Sequence, residues 1–222
     1  MIRTVLPPPR ARALSIGALS IGALSIGALS IGALAIGALA IGALAVITPA
    51  ATAAAPAAPV YIADAAQSRL LFQGTQAGAQ FRGVFHKFTA TIEFAPDALA
   101  ASHFDVAIDV GSLDTQDKDR DGTMRGADIF DVAHWPAAHY VTRSFARTAA
   151  GYTAVGALTL RGVTKDVPVE FRFTQTPGGA KLDGTANLKR LDFGVGQGEW
   201  RSTEMVRDDV KVEFSLALKA KP

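Results

Sequence analysis

The sequence predicts an all-β domain, an eight-stranded antiparallel β-barrel with one short helix after the third strand. Eight segments alternate apolar and polar residues with the period of a half-buried strand. Turn residues separate these segments, and the second is longer than a typical sandwich strand but suits a strand that curves across a barrel. The eight segments are approximately 60–76, 80–95, 102–111, 138–148, 152–161, 166–176, 180–190 and 208–219.

The first 58 residues predict a secretory signal peptide and an Ala/Pro-rich linker. Basic residues stand at Arg3, Arg10 and Arg12 without any acid, residues 13–47 are uncharged, and small residues and prolines follow. The uncharged run is much longer than the usual core of about 7–15 residues and could span about 30 Å of hydrocarbon. An uncleaved inner-membrane anchor is therefore the alternative. Either segment places the barrel domain, residues 59–222, in the periplasm or outside the cell.

Composition excludes several classes of function. The formal charge of +2 falls to about −1 without the leader, which holds three basic residues and no acid. No basic patch then remains to suggest nucleic acid as a partner. The chain has no cysteine, which excludes disulfides and a lipid anchor on cysteine.

The strands are supported by their own patterns and by the turns between them. Alternation is clear in residues 169–173 and 210–218. The sequences Ala149-Ala-Gly151 and Pro177-Gly-Gly179 are typical of hairpin turns, and Gly162 is predicted to have a positive φ.

The short helix is predicted where the sequence also resembles a calcium-binding loop. Asp117, Asp119, Asp121, Gly122 and Asp128 have the spacing of such a loop. A calcium loop of this type lies between two helices, whereas a strand pattern precedes this stretch and a proline soon ends the segment after it. We therefore interpret it as a polar helix between two strands and predict no metal site.

The interior of such a barrel holds either its own side chains or one slim ligand. From the pattern alone, a filled interior is favoured over a cavity. No catalytic motif is apparent, because the four histidines are scattered and neither a Gly-x-Ser-x-Gly turn nor a phosphate-binding loop is present. The sequence predicts neither an enzyme nor a cofactor.

Several ordered motifs resemble the YceI family, lipocalin-like periplasmic or secreted proteins associated with the binding of polyisoprenoids and other long-chain amphiphiles. The similarity runs from Tyr61 to Leu218. It implies an elongated barrel around a hydrophobic tunnel that the short helix closes near one end, and it favours a cavity over a filled core. The sequence departs from the family at residues 139–143 and at Arg161, where a histidine is common. The motifs are Tyr61-Ile-Ala-Asp64, Ser68–Phe72, Ser112–Thr115, Arg120-Asp121, Met124-Arg125, Asp128–Asp131, Trp135-Pro136, Leu158–Lys165 and Arg190–Gly194.

The resemblance and the aromatic alternation predict a non-enzymatic carrier of a polyisoprenoid, an isoprenoid quinone or a fatty amide. The alternative is a filled structural or partner-binding barrel of the cell envelope, and a homodimer is a further expectation. Arg125 and Asp128 are predicted at the rim, near the ligand head group. Because Phe85 and Phe88 cannot share a face without a bulge, one of them is expected to point outward. The predicted lining residues are Phe85, Phe88, Ile92, Phe94, Val106, Ile108, Met124, Phe130, Trp135, Phe145, Leu160, Phe171, Phe173 and Phe214.

Overall fold

The computed structural model describes residues 57–221, which form one β-barrel with a single α-helix, α1 (Lys118–Arg125). The side chain of Asp117 caps the N-terminus of α1, and Gly126 is its C-cap residue. The strands are β1 (Val60–Ala63), β2 (Arg69–Gln76), β3 (Ala79–Phe85), β4 (Phe88–Glu93), β5 (His103–Asp109), β6 (Leu113–Asp114), β7 (Ala137–Thr148), β8 (Gly151–Leu160), β9 (Val163–Thr176), β10 (Gly179–Lys189) and β11 (Asp209–Ala220).

These strands make eight barrel strands, because the first three are each interrupted once. β1 and β2 follow one another along β11, and β4 and β3 pair with them in the same order. β5 and β6 continue the sheet beside β4 and β3, and β7 to β11 complete the circuit back to β1 and β2. All these pairings are antiparallel. The predicted closed eight-stranded barrel, with a helix after the third strand, is confirmed.

The three interruptions lie side by side and form a crease across one wall, defined by residues 64–68, 86–87 and 110–112. Backbone groups at the crease keep hydrogen-bond partners. The amide of His86 donates to the carbonyl of Ser112 (3.3 Å), and the amide of Lys87 donates to the Ser112 hydroxyl (3.0 Å). The buried Ser68 hydroxyl accepts from the amide of Ala217 (3.1 Å). The wall therefore changes direction here without leaving these groups unsatisfied.

The crease also changes which residues face inward. β3 directs its odd-numbered residues into the barrel and β4 its even-numbered ones, so Phe85 and Phe88 both face the interior. The expectation that one of them points outward is wrong. The reason is physical: His86 and Lys87 lie outside both strands, and the irregular pair shifts the alternation by one residue.

Two hairpins have the turn conformation that matches the twist of the strands. Arg161 and Gly162 join β8 to β9 with φ values of 50° and 72°, and Ala77 and Gly78 join β2 to β3 with 48° and 78°. Two central residues with positive φ are typical of a type I′ turn. The predicted positive φ of Gly162 is confirmed.

Among residues 57–221, no helix is long and apolar enough to cross a bilayer. Nearly all of the predicted leader, residues 1–56, lies outside the described residues. The signal peptide and the anchor of residues 13–47 both remain predictions.

Candidate functional site

One end of the barrel is filled by a cluster of aromatic rings, here called the ring cluster. Phe94 lies at its centre and is 0% exposed. Its ring centroid lies 4.8 Å from that of Phe173 and 4.9 Å from that of Tyr152. Aromatic pairs at these separations add stability beyond the area they bury. The ring cluster, a packed aromatic core, comprises Tyr61, Phe94, Phe104, Phe145, Tyr152, Phe171 and Phe173.

The other end of the barrel holds a cavity of about 540 Å³. This volume lies within the range of about 300–1,000 Å³ found for small-molecule sites. Its walls are mainly apolar side chains of the barrel strands, completed by residues of α1 and of the following loop. Nine of the predicted lining residues are found there, namely Phe85, Phe88, Ile92, Val106, Ile108, Met124, Phe130, Leu160 and Phe214.

Five predicted lining residues lie elsewhere. Phe94, Phe145, Phe171 and Phe173 face inward but belong to the ring cluster, because alternation predicts the face of a strand and not the height along the barrel axis. Trp135 lies outside the barrel, is 45% exposed, and covers Gly162 with its indole ring. A Cβ at Gly162 would lie 2.7 Å from that ring, so the contact depends on glycine.

The cavity also contains residues that the sequence reasoning missed. Most of them lie on β2, β9, β10 and β11, which the alternation had already identified as strands with one apolar face. Val195 and Trp200 come from the loop of residues 190–208, where no pattern indicated a contact with the interior. Apolar residues missed by the prediction include Leu70, Phe72, Phe81, Phe104, Tyr140, Leu158, Val167, Val169, Leu182, Ala186, Leu188, Val195, Trp200, Val210, Val212 and Leu216.

Four glycines of the barrel wall lie opposite aromatic rings. Phe81 on β3 lies across Gly74 on β2, where a Cβ would come within 2.7 Å of the ring. Aromatic rings cover three other glycines of the wall, where a Cβ would lie even closer to the ring than at Gly74. Since glycine has no Cβ, each ring occupies space that a side chain on the facing strand would otherwise fill. The other pairs are Phe72 with Gly83, Phe214 with Gly184 and Tyr140 with Gly156.

The Tyr140 side chain places a hydroxyl group in the wall, and this hydroxyl has a hydrogen-bond partner within the protein. The Tyr140 hydroxyl donates to the carbonyl of Val167 (3.2 Å), and burial raises the pKa of this phenol. Tyr140 therefore remains neutral in the physiological range and presents its ring to the cavity.

Charged and amide side chains line the cavity where it meets solvent. They come from the first turns of α1 and its cap, from the end of β2, and from the loop of residues 190–208. Asp119, Thr123 and Arg207 are exposed and also line the cavity, so this end is its mouth. The guanidinium of Arg120 lies 4.8 Å from the centroid of the Phe81 ring and contacts Asp117 at 3.4 Å.

Arg190 holds the loop beside the mouth. It is only 6% exposed, and no carboxylate contacts its guanidinium. The group instead donates to the carbonyls of Val195 (2.9 Å), Ser202 (3.2 Å), Val206 (2.8 Å) and Arg207 (3.1 Å). Burial lowers the pKa of Arg190, and the charge-assisted bonds to the loop offset part of the cost of that burial.

The two predicted rim residues do not line the cavity. Arg125 donates from Nε to the carbonyl of Gly111 (2.9 Å) and also contacts the carbonyl of Leu113. The carbonyl of Asp128 accepts from the amide of Gly196 (3.0 Å). Both residues tie the helix and the loop after it to the barrel. The charged groups at the mouth are therefore Asp117, Asp119, Arg120 and Arg207.

The acidic residues that resemble a calcium loop have structural partners. Asp117 accepts from the amides of Asp119 (3.1 Å) and Arg120 (3.0 Å) as the N-cap of α1. Buried Asp121 accepts from the amide (2.9 Å) and hydroxyl (2.7 Å) of Thr115. In residues 57–221, no three histidine or acidic side chains converge as metal ligands.

Replacing Asp121 with asparagine tests this structural role. We expect D121N to lower the free energy of unfolding by about 1–3 kcal/mol, because a buried charge-assisted acceptor is lost. D119N is the matched control, since Asp119 is exposed and within the same motif. It should change stability by less than about 0.5 kcal/mol. Urea denaturation with and without added calcium distinguishes the readings. If these residues formed a calcium loop, added calcium would stabilise the wild-type protein, and both variants would lose that stabilisation.

A closed antiparallel barrel with one packed end and one hollow apolar end belongs to the class of small barrels with an internal cavity. The model of the YceI-like domain matches residues 61–218. The chain belongs to this family, as its motifs indicated.

Relatives and solved structures agree with this assignment. The UPF0312 protein YE1254 of Yersinia enterocolitica is 32% identical over 147 residues, which cover 59% of this chain and 77% of the relative. A UPF0312 protein of Yersinia pestis is 33% identical over 51% of this chain, which spans only 62% of that protein. BcnA of Burkholderia cenocepacia has a TM-score of 0.66 and 33% identity, covering 69% of this chain and 98% of BcnA.

A more distant structure shares the fold. A polyisoprenoid binding domain from Saccharophagus degradans has a TM-score of 0.55 at 19% identity, covering 74% of this chain and 99% of that domain.

Proposed function

We propose that this protein binds one long-chain apolar or amphiphilic ligand, and carries or sequesters it without chemical change. The ligand classes are a polyisoprenoid, an isoprenoid quinone or a fatty amide. The observation that carries the proposal is the cavity of about 540 Å³ with mainly apolar walls. Burying a methylene group contributes about 0.8 kcal/mol, so an apolar chain gains affinity there without polar contacts. The polyisoprenoid binding domain that shares this fold supports the same class of ligand.

The distribution of polar groups gives the ligand a direction. The charged lining groups lie at the mouth, while Ile92, Leu182 and the ring-cluster residue Phe104 line the cavity at its opposite end. The tail therefore enters first and the head group remains near Arg120 and Arg207. The reverse orientation would bury a polar head among apolar side chains, which is costly without hydrogen-bond partners.

The chemistry of the cavity favours binding over catalysis. His86, His134 and His139 each contact a surface carboxylate, Asp114, Asp131 and Asp105 respectively, and none of these histidines lines the cavity. The polar wall group in the middle, the Tyr140 hydroxyl, is engaged by a backbone carbonyl. A non-enzymatic role is therefore the simplest use of the site.

Tryptophan fluorescence tests ligand entry, because the chain has two tryptophans and only Trp200 lines the cavity. In a W135F variant, titration with farnesol or geranylgeraniol should change the Trp200 emission with saturation near one ligand per protein. In W200F the response should disappear although Trp135 remains. A response that follows Trp135, or none in either variant, would contradict binding in this cavity.

Lipid extraction tests the same proposal with the natural ligand. We expect mass spectrometry of an organic extract, taken from protein purified from its native host, to show one class of long-chain amphiphile in near-stoichiometric amount. Protein denatured before purification serves as the control for lipid carried over from the membrane. An empty extract, combined with no uptake of prenyl alcohols, would favour a structural or partner-binding barrel.

We further propose that the barrel acts in the periplasm or outside the cell. The support is the basic, apolar and small-residue order of the leader. Cell fractionation with N-terminal sequencing tests it. A new N-terminus between residues 53 and 59 in a soluble extracytoplasmic fraction indicates a signal peptide, and an intact N-terminus in the membrane fraction indicates the anchor of residues 13–47. Full-length protein in the cytosol would contradict both.

A further inference from the structure

The ring cluster meets the cavity at a floor made by Ile92, Phe104 and Leu182. These three residues line the cavity and belong to the same packed cluster as Phe94 and Phe171. All three are almost completely buried, so the space beyond them is already occupied by protein atoms. The cavity is blind at this end and open at the mouth near α1.

The floor cannot yield without disturbing several neighbours at once. The ring of Phe104 lies 4.8 Å from Phe145, 5.2 Å from Phe171 and 5.9 Å from Phe94, measured between centroids. The amide of Phe104 also donates to the buried hydroxyl of Thr142 at 2.8 Å. In an interior packed to crystal-like density, a ring held on several sides has no alternative position that costs little.

We propose that this floor, and Phe104 in particular, sets the length of the apolar chain that the protein selects. The inference rests on the proposed binding function and names the residues that determine its specificity. If each carbon group takes about the 30 Å³ that a water molecule occupies in the liquid, the cavity of about 540 Å³ holds on the order of twenty such groups. We therefore take about twenty carbon groups as the limit that the floor sets.

The proposal predicts that affinity rises with the chain length of the ligand and then reaches a plateau. Up to the limiting length, each added methylene enters the cavity and should improve the dissociation constant about fourfold. Beyond it, further carbons remain outside the mouth and add little. For wild-type protein, a series of prenyl alcohols with 10, 15, 20, 25 and 45 carbons should therefore show steep gains first and a plateau near about twenty carbons.

The F104A variant should move this plateau to longer chains. Removing a large buried side chain opens a void of roughly 150 Å³, as in engineered cavities, which is room for about five more carbon groups. In W135F protein, Trp200 fluorescence titration gives the affinities, and native mass spectrometry gives the stoichiometry. We expect F104A to gain at least threefold in affinity between the 20- and 25-carbon alcohols, where wild type gains less than twofold.

L160A is the matched control, because Leu160 lines the cavity at the other end of the barrel, beside the hairpin at Arg161 and Gly162. It should weaken binding of every alcohol by a similar factor and leave the plateau at the same length. Thermal denaturation verifies that each variant is folded. Where F104A does not fold, F104L takes its place, with a smaller shift in the same direction.

The outcomes separate the two proposals. A folded floor variant whose plateau stays at the wild-type length, or moves no further than that of L160A, overturns the length inference while leaving ligand binding intact. A wild-type protein that binds none of the alcohols contradicts the proposed function itself. A plateau that moves in the floor variants alone supports both.

Discussion

Replacing Arg190 with methionine should lower the free energy of unfolding by about 3 kcal/mol, the largest loss that we expect from one polar substitution. The guanidinium binds four backbone carbonyls between residues 195 and 207, and one hydrogen bond to a charged group contributes about 1.5–3 kcal/mol net. Methionine also removes the cost of burying the charge, so the expected loss is well below the sum over four bonds. Buried carbonyls left without a donor add to the loss. In a domain of this size the melting temperature should fall by about 6–12 °C, measurable by calorimetry or circular dichroism.

The matched control is R201M, because Arg201 belongs to the same loop but is exposed. Its effect should stay within about 0.5 kcal/mol. The R190K variant keeps the charge but not the planar fork of donors, and we expect it to recover less than half of the loss. Equal destabilisation by R190M and R201M would show that the loop is insensitive to this anchor. Because the loop borders the mouth, R190M should also weaken ligand binding.

Replacing Ala186 with phenylalanine should abolish ligand binding and leave the fold intact. Ala186 lines the cavity, so a ring at this position extends into empty space that the ligand would otherwise occupy. We expect at least a hundredfold loss of affinity for geranylgeraniol in the Trp200 titration. The free energy of unfolding should change by less than about 1 kcal/mol, because the ring buries apolar surface without displacing protein atoms.

An alanine-to-phenylalanine substitution in the packed half of the barrel should instead lower the stability of the fold. Ala154 is 0% exposed in the cluster that includes the rings, and A154F must displace well-packed neighbours. Overpacking costs about 1–3 kcal/mol and sometimes more. If A154F and A186F have equal effects on stability, the division of the barrel into a filled half and a hollow half is wrong.

The sequence predicted the barrel well because each strand carries its own signal. Alternation located all eight barrel strands, and glycine located turns such as that at Gly162. The crease was not predicted, since the spacing of Phe85 and Phe88 fits either a bulge or one outward-facing ring, and the local sequence does not distinguish the two. The calcium-like spacing was correctly assigned to a helix because its flanks did not match a calcium loop.

The site was harder to predict than the fold. Alternation identifies inward-facing residues but not their height in the barrel, so Phe94 and Phe173 could not be told apart from Phe85 and Phe88. The predicted rim residues Arg125 and Asp128 are absent from the cavity lining, because the Arg125 guanidinium bonds backbone carbonyls and Asp128 is held through its own backbone carbonyl. Arg190, Val195 and Trp200 depend on the path of an irregular loop. Nothing in the local pattern of residues 190–208 encodes that path.

The crease has a mechanical consequence. The strands β1, β4 and β5 pair in the half with the ring cluster, and β2, β3 and β6 pair in the half with the cavity. A distortion of one set of strands is therefore not transmitted directly to the other set. The strands β7 to β11 run without interruption through both halves, whereas residues 64–68, 86–87 and 110–112 join the halves by irregular backbone. A local disturbance of packing in one half should therefore reach the other half mainly through these five strands.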